Sequence, residues 1–121
     1  MADEITLTYK LSLSNGDLKR SKSISSKKSD QATKGLAAGA QTIGTTHEAL
    51  ALGDLTTPRF GHITNLDTSN YVELGVDVSG AFHAFMRLDP GESLPLKLAA
   101  TAPYAKANTA SVILEYELWE L

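Results

Sequence analysis

Near the start of the chain, five apolar residues fall at every second position: Ile5, Leu7, Tyr9, Leu11 and Leu13. They alternate with Glu4, Thr6, Thr8, Lys10 and Ser12. Strand side chains point to opposite faces with period two, so this pattern specifies a half-buried strand. Asn15-Gly16 follows at once. That dipeptide supplies the positive φ values of a type I′ hairpin turn. A return strand is expected from Leu18 to about Lys28. It is polar on both faces except at Leu18 and Ile24, which suits an edge or a strand lying under another subunit.

The second half repeats the alternation. Val72, Leu74, Val76 and Val78 form one series, Ser79-Gly80 turns the chain, and Phe82, Ala84, Met86 and Leu88 form the next. Asp89-Pro90-Gly91-Glu92 reads as a type II turn, with proline fixing φ at one central position and glycine allowing positive φ at the other. Leu94, Leu96 and Leu98 follow, and Pro95 inside that run marks an edge or bulged strand. Val112, Leu114, Tyr116 and Leu118 close the chain. Between the halves, residues 29–57 read as a loop-rich connector. It has room for one helical turn around Asp30 to Ala38, a short strand near Thr42 and another from His47 to Leu52. Pro58 breaks the chain before a strand at Phe60 to Leu66, and residues 102–108 read as a loop. The expected fold is all-β: an antiparallel β-sandwich, jelly-roll-like or Ig-like, of seven to nine short strands.

A length of 121 residues, 42% of them hydrophobic, fits a single domain with one core. The basic hairpin at about residues 4–28 is expected to belong to it. The absence of cysteine excludes a disulfide scaffold and thiolate metal sites. No apolar run approaches the roughly 20 residues of a membrane-crossing helix. Met1-Ala2-Asp3-Glu4 carries neither the basic nor the apolar region of a secretory signal, so synthesis in a cytosol is expected.

Charge is divided along the chain. Residues 1–34 hold seven Lys/Arg against four acids, and residues 35–121 hold four against ten. The basic stretch at Lys19, Arg20, Lys22, Lys27 and Lys28 is interleaved with serines and lacks aromatics. Base stacking needs aromatic faces, so a solvated or partner-facing hairpin is favoured over specific nucleic-acid binding.

Catalytic chemistry has no evident seat. There is no Gly-x-Ser-x-Gly elbow, phosphate-binding glycine loop or dinucleotide fingerprint. Val78-Ser79-Gly80 reads as a hairpin turn. His47, His62 and His83 lie too far apart in sequence for the close ligand pair of a usual zinc site. Asp67, Glu73 and Asp77 lack EF-hand spacing. Glu115 and Glu117 share one face of the last strand and read as a solvated stripe, not a glycosidase pair. No enzyme activity, metal or cofactor is expected.

A second apolar set stands out: Tyr71, Phe85, Ile113 and Trp119 fall on the face opposite each strand's core series. Gathered on adjacent strands they would form one patch, and such patches mark contacts. They are the expected self-association surface.

The run YVELGVD from Tyr71, the run SGAFHAFMRLDPGE from Ser79 and the run LPLKL from Leu94 resemble small β-sandwich virion proteins of tailed bacteriophages, the head decoration or cement proteins and related auxiliary subunits. The resemblance covers about residues 60–100. It implies a non-enzymatic subunit on the capsid surface, commonly a homotrimer, that bridges major capsid proteins. Such a protein is made in the bacterial cytoplasm. The five basic hairpin residues are then the expected capsid contact. The competing expectations are a tail or baseplate subunit, and a carbohydrate-binding sandwich that stacks a glycan on Trp119.

Overall fold

The structure is a computed structural model that describes residues 3–121. The chain divides into two compact units. One runs to Thr33 and includes Leu121, and the other is Lys34–Glu120.

The first unit is a hairpin arm of two long antiparallel strands, β1 (Ile5–Asn15) and β2 (Leu18–Ser29). The turn falls one residue later than the sequence suggested. Asn15 stays in the ladder opposite Leu18, Gly16-Asp17 make the loop, and only Gly16 has positive φ. Glycine at the first central position is the type II′ pattern, not type I′. A bulge between Leu7 and Tyr9 places one extra residue on β2. Ser26 takes the left-handed conformation there, and its N–H donates to Thr8 Oγ1 at 3.0 Å. The extra residue shifts the parity of β2, so Arg20, Lys22 and Ile24 on one side of the bulge and Lys27 on the other fall on the face of the β1 apolar residues. At a strand rise of about 3.4 Å per residue the arm is roughly 35 Å long.

The second unit holds eight strands: β3 (Leu36–Ile43), β4 (Glu48–Ala49), β5 (Phe60–Asn65), β6 (Val72–Val78), β7 (Ala81–Leu88), β8 (Ser93–Lys97), β9 (Tyr104–Ala107) and β10 (Val112–Trp119). They form two four-stranded antiparallel sheets, ordered β3-β10-β5-β8 and β4-β9-β6-β7. The first strand pairs with the last, the second with the seventh and the third with the sixth, and the central two form a hairpin. One long antiparallel ribbon folded over on itself gives this order, which is that of a jelly roll. The fold is therefore an all-β antiparallel sandwich, and its strand order resolves the expected choice toward the jelly roll. Among the described residues there is no helix, so Asp30 to Ala38 forms no helical turn.

The sandwich core is contributed by alternate residues of facing strands. Val112, Leu114, Tyr116 and Leu118 of β10 pack with Ile43, Ile63, Val72, Leu74 and Leu88. Turn chemistry fixes the corners. Ser79 and Gly80 both have positive φ, as a type I′ turn requires. Gly91 has φ of 80°, and Glu92 N–H donates to Asp89 O at 3.0 Å, the type II turn expected of Asp89-Pro90-Gly91-Glu92. Asn65 is fully buried and fully used: Nδ2 donates to Asn70 O and Leu88 O, and Oδ1 accepts from Asp67 N.

Three expectations about strands are corrected. The connector contains the eight-residue β3, which shows little alternation because alanine and glycine serve either face. Its pairing with β10 decides its conformation. The stretch from His47 to Leu52 supplies only the two residues of β4, and residues 102–108 include β9 instead of being loop throughout. With the arm, the described residues form ten strands, more than the seven to nine expected.

Candidate functional site

On the arm, antiparallel register puts directly opposed residues on the same side of the ribbon. Leu7 faces Lys27, Tyr9 faces Ile24, Leu11 faces Lys22 and Leu13 faces Arg20. One face therefore alternates apolar side chains from β1 with cations from β2. The other face is polar and carries Thr6, Lys10, Ser12 and Ser14 opposite Lys28, Ser23, Ser21 and Lys19. The five basic residues singled out in the sequence divide accordingly: Arg20, Lys22 and Lys27 sit among the apolar residues, and Lys19 and Lys28 lie on the polar side.

Exposure makes this face unusual. Leu11 is 72% exposed, and Leu13, Leu18 and Tyr9 are also exposed. An isolated two-stranded hairpin is marginal in water, because one ribbon cannot cover its own apolar face. From Ile5 to Ser29 six cations stand against one acid, Asp17. The arm thus presents an apolar, positively charged strip without a cover of its own.

The four residues expected to form a self-association patch do not gather. Ile113 and Trp119 lie on the outer face of β10 in one sheet, whereas Phe85 lies on β7 and Tyr71 just before β6, in the other. The sequence placed these strands side by side, but the folded ribbon sends β10 to the opposite sheet. Phe85 is 63% exposed at the β7 bulge. Tyr71 is covered by the Arg87 guanidinium, 3.6 Å from its ring centre. Trp119 is half-buried, and its ring N–H donates to Glu117 Oε1 at 3.0 Å.

A cluster that spacing could not reveal lies on the second sheet. His47 Nε2 sits 2.7 Å from Asp77 Oδ2, and the His47 ring stacks on Phe82 and leans on Tyr104. The His47 hydrogen bond, with a second from Gly80 N–H, holds the Asp77 carboxyl below the usual carboxylate range. The residues are thirty apart, and only the crossing of β4, β9, β6 and β7 joins them. Near the end of β10, Glu120 accepts from the hydroxyls and N–H groups of Thr57 and Thr56. These bonds, the Thr57 hydroxyl foremost, lower its pKa. Both clusters pin loops to strands.

His62 stands opposite Glu117 on the outer face of the first sheet, and Glu115 lies two residues from Glu117 on that face. These side chains line a shallow cavity of about 370 Å³ over Ala38, Gly39 and Ala40. Among the described residues, no three His, Cys, Asp or Glu side chains converge as a metal site would require. Comparison with protein-family models, curated proteins and solved structures found no match.

Proposed function

We propose that this chain is a non-enzymatic structural subunit of a virion, a decoration or cement protein that stabilises the head of a tailed bacteriophage by bridging major capsid proteins. The observation that carries the reading is the arm: Tyr9, Leu11 and Leu13 exposed in line with Lys22 and Arg20 on one face of a two-stranded ribbon. Burying an aliphatic or aromatic side chain fully contributes about 1.5–3 kcal/mol. Three such residues on a partner surface offset much of the cost of association. The cations add attraction to an acidic surface and fix the register of docking. The choice of a phage head comes from the resemblance of residues 60–100. Jelly rolls recur in viral capsids and in lectins alike, so the fold alone does not choose between them.

In this reading the arm makes the capsid contact. Binding only to the assembled lattice shifts the equilibrium toward that lattice by mass action, and many weakly held copies act together through avidity. The partners are the major capsid protein and copies of the chain itself. Assembly takes place in the bacterial cytoplasm, and the finished virion carries the protein on its surface.

The test is co-sedimentation of the purified chain with phage heads lacking it. The unaltered chain is expected to saturate the heads, and a variant with Arg20, Lys22 and Lys27 all changed to Glu is expected to stay in the supernatant. Equal occupancy by the two proteins overturns the assignment of the arm. Failure of the unaltered chain to sediment with heads overturns the capsid reading.

A further inference from the structure

The sandwich has four sheet edges, and three of them are blunted. β8 carries Pro95 inside the strand and ends at Lys97, β4 is two residues long, and β7 is broken by the bulge opposite Leu74 and Gly75 and bears Arg87 and His83. These are the devices by which proteins keep edges from pairing with other chains. β3 has none of them. Its eight residues, Leu36–Ile43, contain no proline and no ionisable group, and they pair with β10 in unbroken register. Among the described residues, no second strand pairs with its other side. A cavity of about 420 Å³ runs between Leu36, Gly39 and Ala40 of β3 and Ala51 and Asp54 of the facing loop, beside Tyr116. A Cβ added to Gly39 would meet nothing within 4 Å.

We propose that β3 pairs antiparallel with β3 of a second copy, so that the two sandwiches share one continuous eight-stranded sheet. A second copy fits this edge for three reasons. An uncharged strand opposed to itself brings no like charges together. Antiparallel pairing of identical strands follows a two-fold axis normal to the sheet, and such an interface is closed and self-complementary. Among the other strand edges of the same molecule, β7, β8 and β4 are guarded, β2 bears five cations, and β1 belongs to a two-stranded ribbon, whose strong twist works against a long added pairing.

Parity limits the register to few choices. Opposed residues must share a face, so their numbers must sum to an even value. The longest pairings then centre on Gly39, with Ala38 opposite the partner copy's Ala40, or on Ala40, with Ala40 opposite itself. Direct opposition brings Cα atoms to about 4.5–5.5 Å, within the range a disulfide spans. The proposal does not depend on the capsid reading, because it concerns the mass of the free protein.

Two measurements on the full chain test it. Sedimentation equilibrium at tens of micromolar is expected to give twice the chain mass. A monomer or trimer overturns the proposal. Because the chain has no cysteine, single cysteines report position directly. Mild oxidation is expected to cross-link either Ala40→Cys alone or a mixture of Ala38→Cys and Ala40→Cys copies. Leu66→Cys, at an exposed position outside β3, is the control and is expected to stay uncross-linked. A dimer that fails to cross-link at 38 and 40, or that cross-links as readily at 66, overturns β3 as the interface.

Discussion

His47 Nε2 and Asp77 Oδ2, 2.7 Å apart, tie the loop before β4 to β6, two strands away in the same sheet. β4 contributes only two ladder residues, so this contact and the Phe82 stack hold the loop down in place of a longer strand. Asp77 has a lowered pKa in the folded state. Its contribution is therefore fully present above the ordinary carboxylate pKa and is lost as pH falls through the lower folded value. Asp77→Asn keeps an oxygen for Gly80 N–H but removes the charge facing His47. We expect faster amide exchange at residues 45–50 in the variant at neutral pH, and a melting temperature with a weaker acid-side decline than that of the unaltered chain. Identical exchange in both proteins would show that the stack alone holds the loop.

The two faces of the arm should separate in their effects. Changing Arg20, Lys22 and Lys27 to Glu reverses the charge among Leu7, Leu11 and Leu13, the residues a partner would cover. Changing Lys10, Lys19 and Lys28 to Glu alters a face that is polar already. In head-binding assays the first set is expected to weaken attachment at least tenfold more than the second. Raising salt should weaken attachment of the unaltered chain, since exposed charges are screened beyond about 10 Å at 0.1 M. Equal losses from the two sets would mean that net charge alone drives binding.

How much was legible in the sequence follows from which residues signal by themselves. The period-two series of β1, β6, β7 and β10 and the turns at Ser79-Gly80 and Pro90-Gly91 are local, and the strands stand where they were expected. β3 is legible only as the short strand expected near Thr42, because Ala37, Ala38, Gly39 and Ala40 carry no face preference, and the β10 ladder makes them a strand. The proposed patch of Tyr71, Phe85, Ile113 and Trp119 failed for a topological reason. Closeness in sequence suggested neighbouring strands, whereas jelly-roll order sends alternate pieces to opposite sheets. The pairing of Arg20 with Leu13 and of Lys22 with Leu11 follows from a turn at Gly16-Asp17, one residue later than the Asn15-Gly16 signal suggests, and the side taken by Lys27 follows from the Ser26 bulge.

Asn65 is the polar residue on which one end of the sandwich turns. Its side chain satisfies Asn70 O, Leu88 O and Asp67 N, and its backbone bonds Glu92 and Gly91. Asn65→Ala leaves the Leu88 carbonyl without its Asn65 donor in a buried place. A buried polar group left unpaired costs about 1–3 kcal/mol, so chemical denaturation should show at least that loss. Asn65→Asp should not rescue it, because the donor is still missing.

Two glycines give the sharpest contrast. A Cβ on Gly61 would lie against the Glu117 carbonyl and crowd the Leu118 backbone of β10, and neither can move without opening the ladder between β5 and β10. A Cβ on Gly39 meets open space, and Gly39 does not have a positive φ. Gly61→Ala is therefore expected to destabilise the sandwich by about 1–3 kcal/mol, as overpacking does. Gly39→Ala should be neutral or stabilising by up to about 1 kcal/mol, because alanine leaves the unfolded chain less freedom to lose. Urea denaturation of both variants with a common m-value checks the pair. Equal effects at the two positions would mean that β5 does not approach β10 as closely as the Gly61 geometry requires.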